Sequence, residues 1–82
     1  MRIDLFLKKT LVLKQRASTK DLCGQGMIRV NDVLARASKT VMAGDIIEIE
    51  APQYRRRIRV LKIPEAAVRR DQVAEYYEEI NS

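Results

Sequence analysis

Helical spacing of apolar positions opens the chain and returns near its end. Ile3, Phe6 and Leu7, with Thr10, fall at i, i+3, i+4 and i+7, one face of a helix over residues 3–9. Residues 10–17 read as a connection anchored in part by Leu11, Val12 and Leu13. Ser18-Thr19-Lys20-Asp21 reads as a second helix start. The Ser18 hydroxyl can accept from free backbone N–H groups, and an acidic residue follows three positions on. Thr19, Leu22 and Cys23 make its inner face, and Gly26 supplies a left-handed stop. If the first turn begins early, Arg16 and Lys20, four apart, share its outer edge.

The period then switches to two. Met27 to Val30, Asn31-Asp32, and Val33 to Ala37 read as strand, two-residue turn and strand. That register sets Val30 opposite Val33 and Ile28 opposite Ala35, and turns Arg29 and Arg36 away from the core. After a turn at Ala43-Gly44-Asp45, Ile47 and Ile49 alternate inward against Glu48 and Glu50. Ala51-Pro52-Gln53 breaks the run. Residues 54–63 form a further strand with Ile58 and Val60 inward, and the out-of-phase Leu61 and Ile63 predict a bulge or burial on both sides. Pro64 closes it. Val73, Tyr77 and Ile80 at i, i+4 and i+7 predict a last helix from about residue 66 or 70, with Glu75, Glu78 and Glu79 in solvent. The expected class is α+β. Two N-terminal helices pack on a small, mostly antiparallel sheet of about four strands, and a C-terminal helix docks on the same sheet. Residues 1–64 are taken as the domain, and 65–82 as a helix and tail packed on it.

Composition narrows the chemistry. Eighty-two residues make one small domain with little room for a deep pocket. The chain has no His and one Cys. That removes imidazole acid–base pairs, His metal sites, internal disulfides and multi-Cys zinc sites. No catalytic residues, cofactor or metal are therefore expected. No targeting segment or membrane-spanning run is visible, and the single thiol fits the reducing cytoplasm. The net charge of +5 is uneven: residues 1–40 hold nine Lys/Arg against three acids, while the second half is slightly acidic. A basic half points to a polyanionic partner, nucleic acid or an anionic membrane.

Gly24-Gln25-Gly26 has no Lys-Ser/Thr after it, so it reads as helix termination and not a phosphate loop. Cys23 reads as a small core residue. Asp4 reads as a local cap or a partner for Arg2 or Lys8. Arg55-Arg56-Arg57 with Arg59 reads as a soluble edge strand paired with Glu48 and Glu50, the other reading being an auxiliary phosphate contact. Lys8, Lys9, Lys14, Arg16, Lys20, Arg29, Arg36 and Lys39 all lie off the apolar pattern, and one basic surface over helix, loop and hairpin is the footprint of RNA binding. The one aromatic nearby, Phe6, is on the buried face, which favours recognition of RNA shape and phosphates over base stacking.

The order of motifs resembles the S-four RNA-binding domain. The matching runs are Arg2-Ile3-Asp4-Leu5-Phe6-Leu7-Lys8, Lys14-Gln15-Arg16, Ala17-Ser18-Thr19-Lys20, Gly26 to Asn31, Ala35-Arg36-Ala37-Ser38 and Val41 to Asp45. They fall within residues 2–50. The short chain is most similar to the stand-alone groups of that family, the RqcP ribosome quality-control factors and the ribosome-associated heat-shock protein fifteen. The resemblance implies an RNA-binding module without chemistry of its own. Its implied partners are rRNA and also tRNA on large ribosomal subunits carrying stalled peptidyl-tRNA, with no membrane and no small-molecule substrate. It places RNA contacts on Arg2, Lys8, Lys14, Arg16 and Lys20, with Arg36, Ser38 and Lys39 beside them; Lys9 and Arg29 join on the charge pattern. A cytoplasmic monomer is expected. The family often has a basic residue where Leu5 and Met27 stand, and commonly Gly at Asp32; Leu11 stands where the quality-control group often has Arg. The rivals are a general rRNA binder in ribosome assembly and a protein-interaction module using the acidic last segment with Met27 and Leu34.

Overall fold

Seven residues of α1 (Ile3–Lys9) and nine of α2 (Arg16–Gly24) lie against a five-stranded sheet in the computed structural model, which describes residues 1–52 and 54–80. The strands are β1 (Ile28–Val30), β2 (Val33–Leu34), β3 (Ile46–Ala51), β4 (Tyr54–Val60) and β5 (Tyr77–Glu79). Their order is β2-β1-β3-β4-β5, and every neighbouring pair is antiparallel. A short 3₁₀ helix (Arg70–Glu75) precedes β5. The class is α+β, with the two expected N-terminal helices. The expected break at Gln53 and the tail residues 81–82 lie outside the described residues.

Alternation along the strands explains the core. Ile28, Val30, Ile47, Ile49, Ile58 and Val60 share one sheet face and are buried with Ile3, Phe6 and Leu7 of α1. Burying an aliphatic or aromatic side chain of this size is worth about 1.5–3 kcal/mol. The register pairs Ile47 with both Val30 and Ile58, so β-branched side chains stack across three strands.

Helix α1 ends in a Schellman turn: Leu11 N–H bonds Lys8 O at 3.1 Å and Val12 N–H bonds Leu7 O at 3.0 Å. This puts Leu11 in the left-handed region at φ 62, an uncommon place for a leucine. The hairpin turn uses positive φ at both Asn31 (51) and Asp32 (68), a type I′ geometry, and the expected pairing of Val30 with Val33 is present.

Several sequence-based expectations differ from the structure: the sheet has five strands, and the second hairpin strand stops at Leu34, short of Ala37. Helix α2 begins at Arg16 and not at Ser18, with extended Gln15 as its N-cap residue. The pull is tertiary, since Arg16 is tied to Asp4 in α1. Strand β4 ends at Val60, so Leu61 and Ile63 mark its exit and not a bulge. The C-terminal segment is a 3₁₀ turn followed by β5, not a helix. Glu75, Glu78 and Glu79 would stand at i, i+3 and i+4 on a helix and repel. As a strand, the segment caps β4 and places Glu78 beside Arg59 and Glu79 beside Arg56. Strand β4 is therefore an interior strand.

Glycine tolerates positive φ better than aspartate, and a left-handed L-residue costs about 1–2 kcal/mol, partly offset by glycine's greater entropy loss of about 0.5–1 kcal/mol. Asp32→Gly should therefore raise stability by about 0.5–1 kcal/mol, read as a higher urea midpoint at unchanged slope. A lower midpoint would show that the Asp32 side chain supports the turn.

Candidate RNA-binding surface

The surface is built around a buried carboxylate. Three backbone hydrogen bonds pair the N-terminal residues with the segment after β2: Ile3 N to Lys39 O at 2.7 Å, Asp4 N to Ala37 O at 3.3 Å, and Val41 N to Met1 O at 2.9 Å. They bring Arg2 beside Ser38 and Lys39. Packing of α1 on α2 then brings Arg16 to the same spot. The Asp4 side chain is only 7% exposed, and its Oδ2 lies 3.2 Å from Nη2 of both Arg2 and Arg16. Its Oδ1 accepts from the Leu5 N–H at 2.7 Å. A buried carboxylate is costly unless paired. Here two arginines, each about half exposed, neutralise it and keep free N–H groups facing solvent.

Next to this pair lies a shallow hollow of about 470 Å³, lined by Arg2, Asp4, Lys20, Cys23, Arg36 and Ser38 among others. A second hollow shares Arg36 and Ser38, and continues past Lys39 to Val33 and Leu34. Both of these hydrophobics are exposed, at 67% and 58%. Arg2, Arg16, Lys20, Arg36, Ser38 and Lys39 thus form one continuous polyanion-attracting surface. Lys20 sits one helical turn from Arg16 on α2, as the four-residue spacing implies.

The remaining candidates stand apart. Lys8 and Lys9 are in the last turn of α1, where they complement the helix dipole, one to two turns from Asp4. Lys14 lines a separate cleft facing the 3₁₀ helix. Arg29 is not on this surface. It pairs in register with Glu48, and Glu48 with Arg57, so it points out of the sheet face opposite the helices. That face carries Arg55, Arg57 and Arg59, interleaved with Glu48, Glu50 and Glu78. Arg57 approaches Glu48 at 3.8 Å and Arg59 reaches Glu78 at 2.6 Å. Arg56, on the other face, donates to Glu79 and to the hydroxyls of Tyr54 and Tyr77. Burial alone would pull its guanidinium down; these bonds hold it above the ordinary arginine range. Arg56, Arg57 and Arg59 are therefore charge-paired, and Arg55 stands in register with Glu50. Asp4 was legible as an Arg2 partner, but its hold on Arg16, twelve residues away, needed the helix packing.

Among the described residues, no His/Cys/Asp/Glu group could hold a metal ion, and no helix is long and apolar enough to cross a membrane. Fold and surface together define an S-four-like domain. No protein-family model matches the chain. Over 78 residues it is 35% identical to the RQC P-site tRNA stabilizing factor of Halalkalibacterium halodurans, covering 95% of this chain and 88% of that protein. The factor of the same name from Helicobacter pylori strain 26695 is 38% identical over 64 residues, 78% of this chain and 76% of its own. The chain belongs to the RQC P-site tRNA stabilizing factor family. Among solved structures, the solution structure of the hypothetical protein HP1423 superposes with a TM-score of 0.83 at 32% identity, covering 100% of this chain and 99% of that one. The trimeric heat shock protein 15 of Vibrio cholerae superposes at 0.86 with 22% identity, over 98% of this chain and 81% of that one.

Cys23 is half-buried in the wall of the hollow, and burial, then the nearby Asp4 charge, push its thiol up. Less thiolate is present at neutral pH than on a free cysteine. Iodoacetamide should therefore alkylate Cys23 more slowly than a free thiol at the same pH, and the rate should rise only at higher pH. Alkylation as fast as glutathione's would contradict this placement.

Proposed function

We propose that this chain is a non-enzymatic RNA-binding factor of ribosome quality control, seated on structured rRNA and tRNA at the large ribosomal subunit. The observation that carries it is the convergence of Arg2, Arg16, Lys20, Arg36, Ser38 and Lys39 around one buried carboxylate, in a chain whose relatives are named RQC P-site tRNA stabilizing factors. These contacts fall within residues 1–64, and β5 closes the sheet behind them. The site of action is the cytoplasmic ribosome. One copy supplies the whole cationic surface, and both edge strands of the sheet are short, which fits a monomer.

The mechanism is electrostatic and geometric. Each Lys or Arg that neutralises a phosphate releases counterions, so affinity falls as salt rises. Arg2 and Arg16 keep planar donor groups free while Asp4 fixes them, which suits paired contacts to neighbouring phosphate oxygens. Ser38 adds a neutral donor between Arg36 and Lys39. Lys8, Lys9 and Lys14 flank this surface and extend its field toward longer RNA. Arg29, held in the charge-paired sheet face, contributes little.

Arg16→Ala and Lys20→Ala should each weaken binding to large subunits or an rRNA fragment, and each should flatten the slope of log affinity against log salt by about one unit. The Lys20→Ala melting temperature should stay near the parent's, while Arg16→Ala, which takes one partner from the buried Asp4, should lower it. Unchanged binding in both variants would overturn the assigned surface. Asp4→Asn tests the geometry separately. It removes a negative charge, so charge counting alone expects tighter RNA binding; loss of the clamp on Arg2 and Arg16 is expected to weaken it instead. Tighter binding would show that Asp4 only dilutes the positive field.

A further inference from the structure

We propose that the cleft between the α1–α2 loop and the 3₁₀ helix seats an unpaired nucleotide of the bound RNA. This rests on the RNA-binding reading above and extends it to a second contact of different chemistry. The cleft, about 340 Å³, is lined by Thr10, Leu11, Lys14, Arg70, Val73 and Tyr77. Its floor combines two aliphatic side chains with an aromatic ring, and its two charged residues are both cations. No carboxylate is among its lining residues, and neither Lys14 nor Arg70 is in an ion pair with a described residue. That separates these two cations from Arg56, Arg57, Arg59 and Arg69, each of which has an acidic partner.

Two further observations mark the cleft as built. Leu11 is 48% exposed while held at positive φ, where glycine would be the natural choice. A leucine kept both strained and exposed at the mouth of a cleft is a local rule broken in favour of a contact surface. Tyr77 is fixed as well: its hydroxyl accepts from Arg56 and its backbone is paired with Val60 in the sheet. A rigid aromatic wall loses little entropy on stacking.

An unpaired base presents an apolar face attached to an anionic phosphate, and this cleft offers the complement of both. The base would lie against Leu11, Val73 and the Tyr77 ring, with the flanking phosphates between Lys14 and Arg70. A paired base is not available for this contact, because its face is stacked within the helix. The cleft lies on the chain two residues before Arg16, so one RNA can occupy it and the Asp4-centred surface together. Arg70 is thereby assigned a role in RNA binding.

The test compares three RNA probes on the intact chain: a short duplex, the same duplex with a single-stranded extension of a few nucleotides, and the duplex with an abasic extension of equal charge. The parent protein should bind the extended duplex about tenfold more tightly than the blunt one, with most of that gain absent from the abasic probe. Arg70→Glu should remove the gain and leave blunt-duplex affinity within about twofold, while Lys14→Glu should remove the gain and also weaken the blunt duplex, with both melting temperatures near the parent's. Arg16→Ala should lower affinity for all three probes. Equal affinity for blunt and extended duplexes, or a gain that survives both glutamate variants, overturns the nucleotide cleft while leaving the RNA-binding reading intact. A full gain on the abasic probe overturns the seating of a base. Binding to no probe overturns the RNA-binding reading, and the cleft with it.

Discussion

The carboxylate of Asp4 is the constraint around which the functional half of this protein is arranged. It sits in the first turn of α1, nearly sealed from water, and a charge so placed needs partners. The partners come from two different directions along the chain. Arg2 precedes the helix and is held by pairing with residues 37–41; Arg16 opens the second helix. Satisfying one anion therefore fixes the N-terminal residues, the start of α2 and the hairpin exit relative to one another. It also solves an electrostatic problem. Two guanidinium groups brought this close repel each other, and the shared carboxylate between them makes the pair tolerable while leaving the spot net positive.

The sheet separates its charges by a different rule. Its inner face is isoleucine and valine, and that apolar burial supplies most of the stability. On the outer face the arginines of β4 stand in register with glutamates on both neighbouring strands. Exposed ion pairs of this kind are worth about 0–1 kcal/mol each, so they are a weak source of stability. Their effect is on pairing: a slip of one residue would put Arg57 opposite Ile47 or Ile49 in place of Glu48, and Arg55 out of line with Glu50. The densest basic run in the sequence is thus spent on strand register, and the scattered cations of the first half are the ones left free to meet a ligand.

Much of this was legible from residue order. Alternation in residues 28–30, 46–50 and 58–60 gave the inner face correctly, and Asn31-Asp32 gave the hairpin and its register. The α1 stripe was equally plain. What the sequence hid was decided by contacts far apart in the chain. The start of α2 at Arg16 depends on Asp4, whereas the local signal, Ser18, pointed two residues later. The C-terminal segment has a helical apolar spacing, but a free strand edge carrying Arg56 and Arg59 rewards its glutamates more than a helix would. Arg29 was placed with Arg36 by hairpin alternation. The hairpin ends at Leu34, however, and the chain turns before Arg36, so the two part company on opposite sides of the sheet.

That last difference shows how the fold sorts cations. Arginines in regular strands take their neighbours from the pairing register, and in β4 those neighbours include acids, so they close on one another. Lysines and arginines on the helices, the α1–α2 loop and the turn after β2 have no such lattice of partners. Among the described ion pairs, Asp4 supplies the carboxylate that reaches into their region, and it is shared between Arg2 and Arg16. Because β5 is a strand, the 3₁₀ helix is drawn across the sheet end toward residues 10–14, which carries Arg70 into this uncompensated group. The positive field of the protein is therefore a product of topology more than of composition. Sheet residues cancel, connecting residues do not, and the connections lie on the helical side.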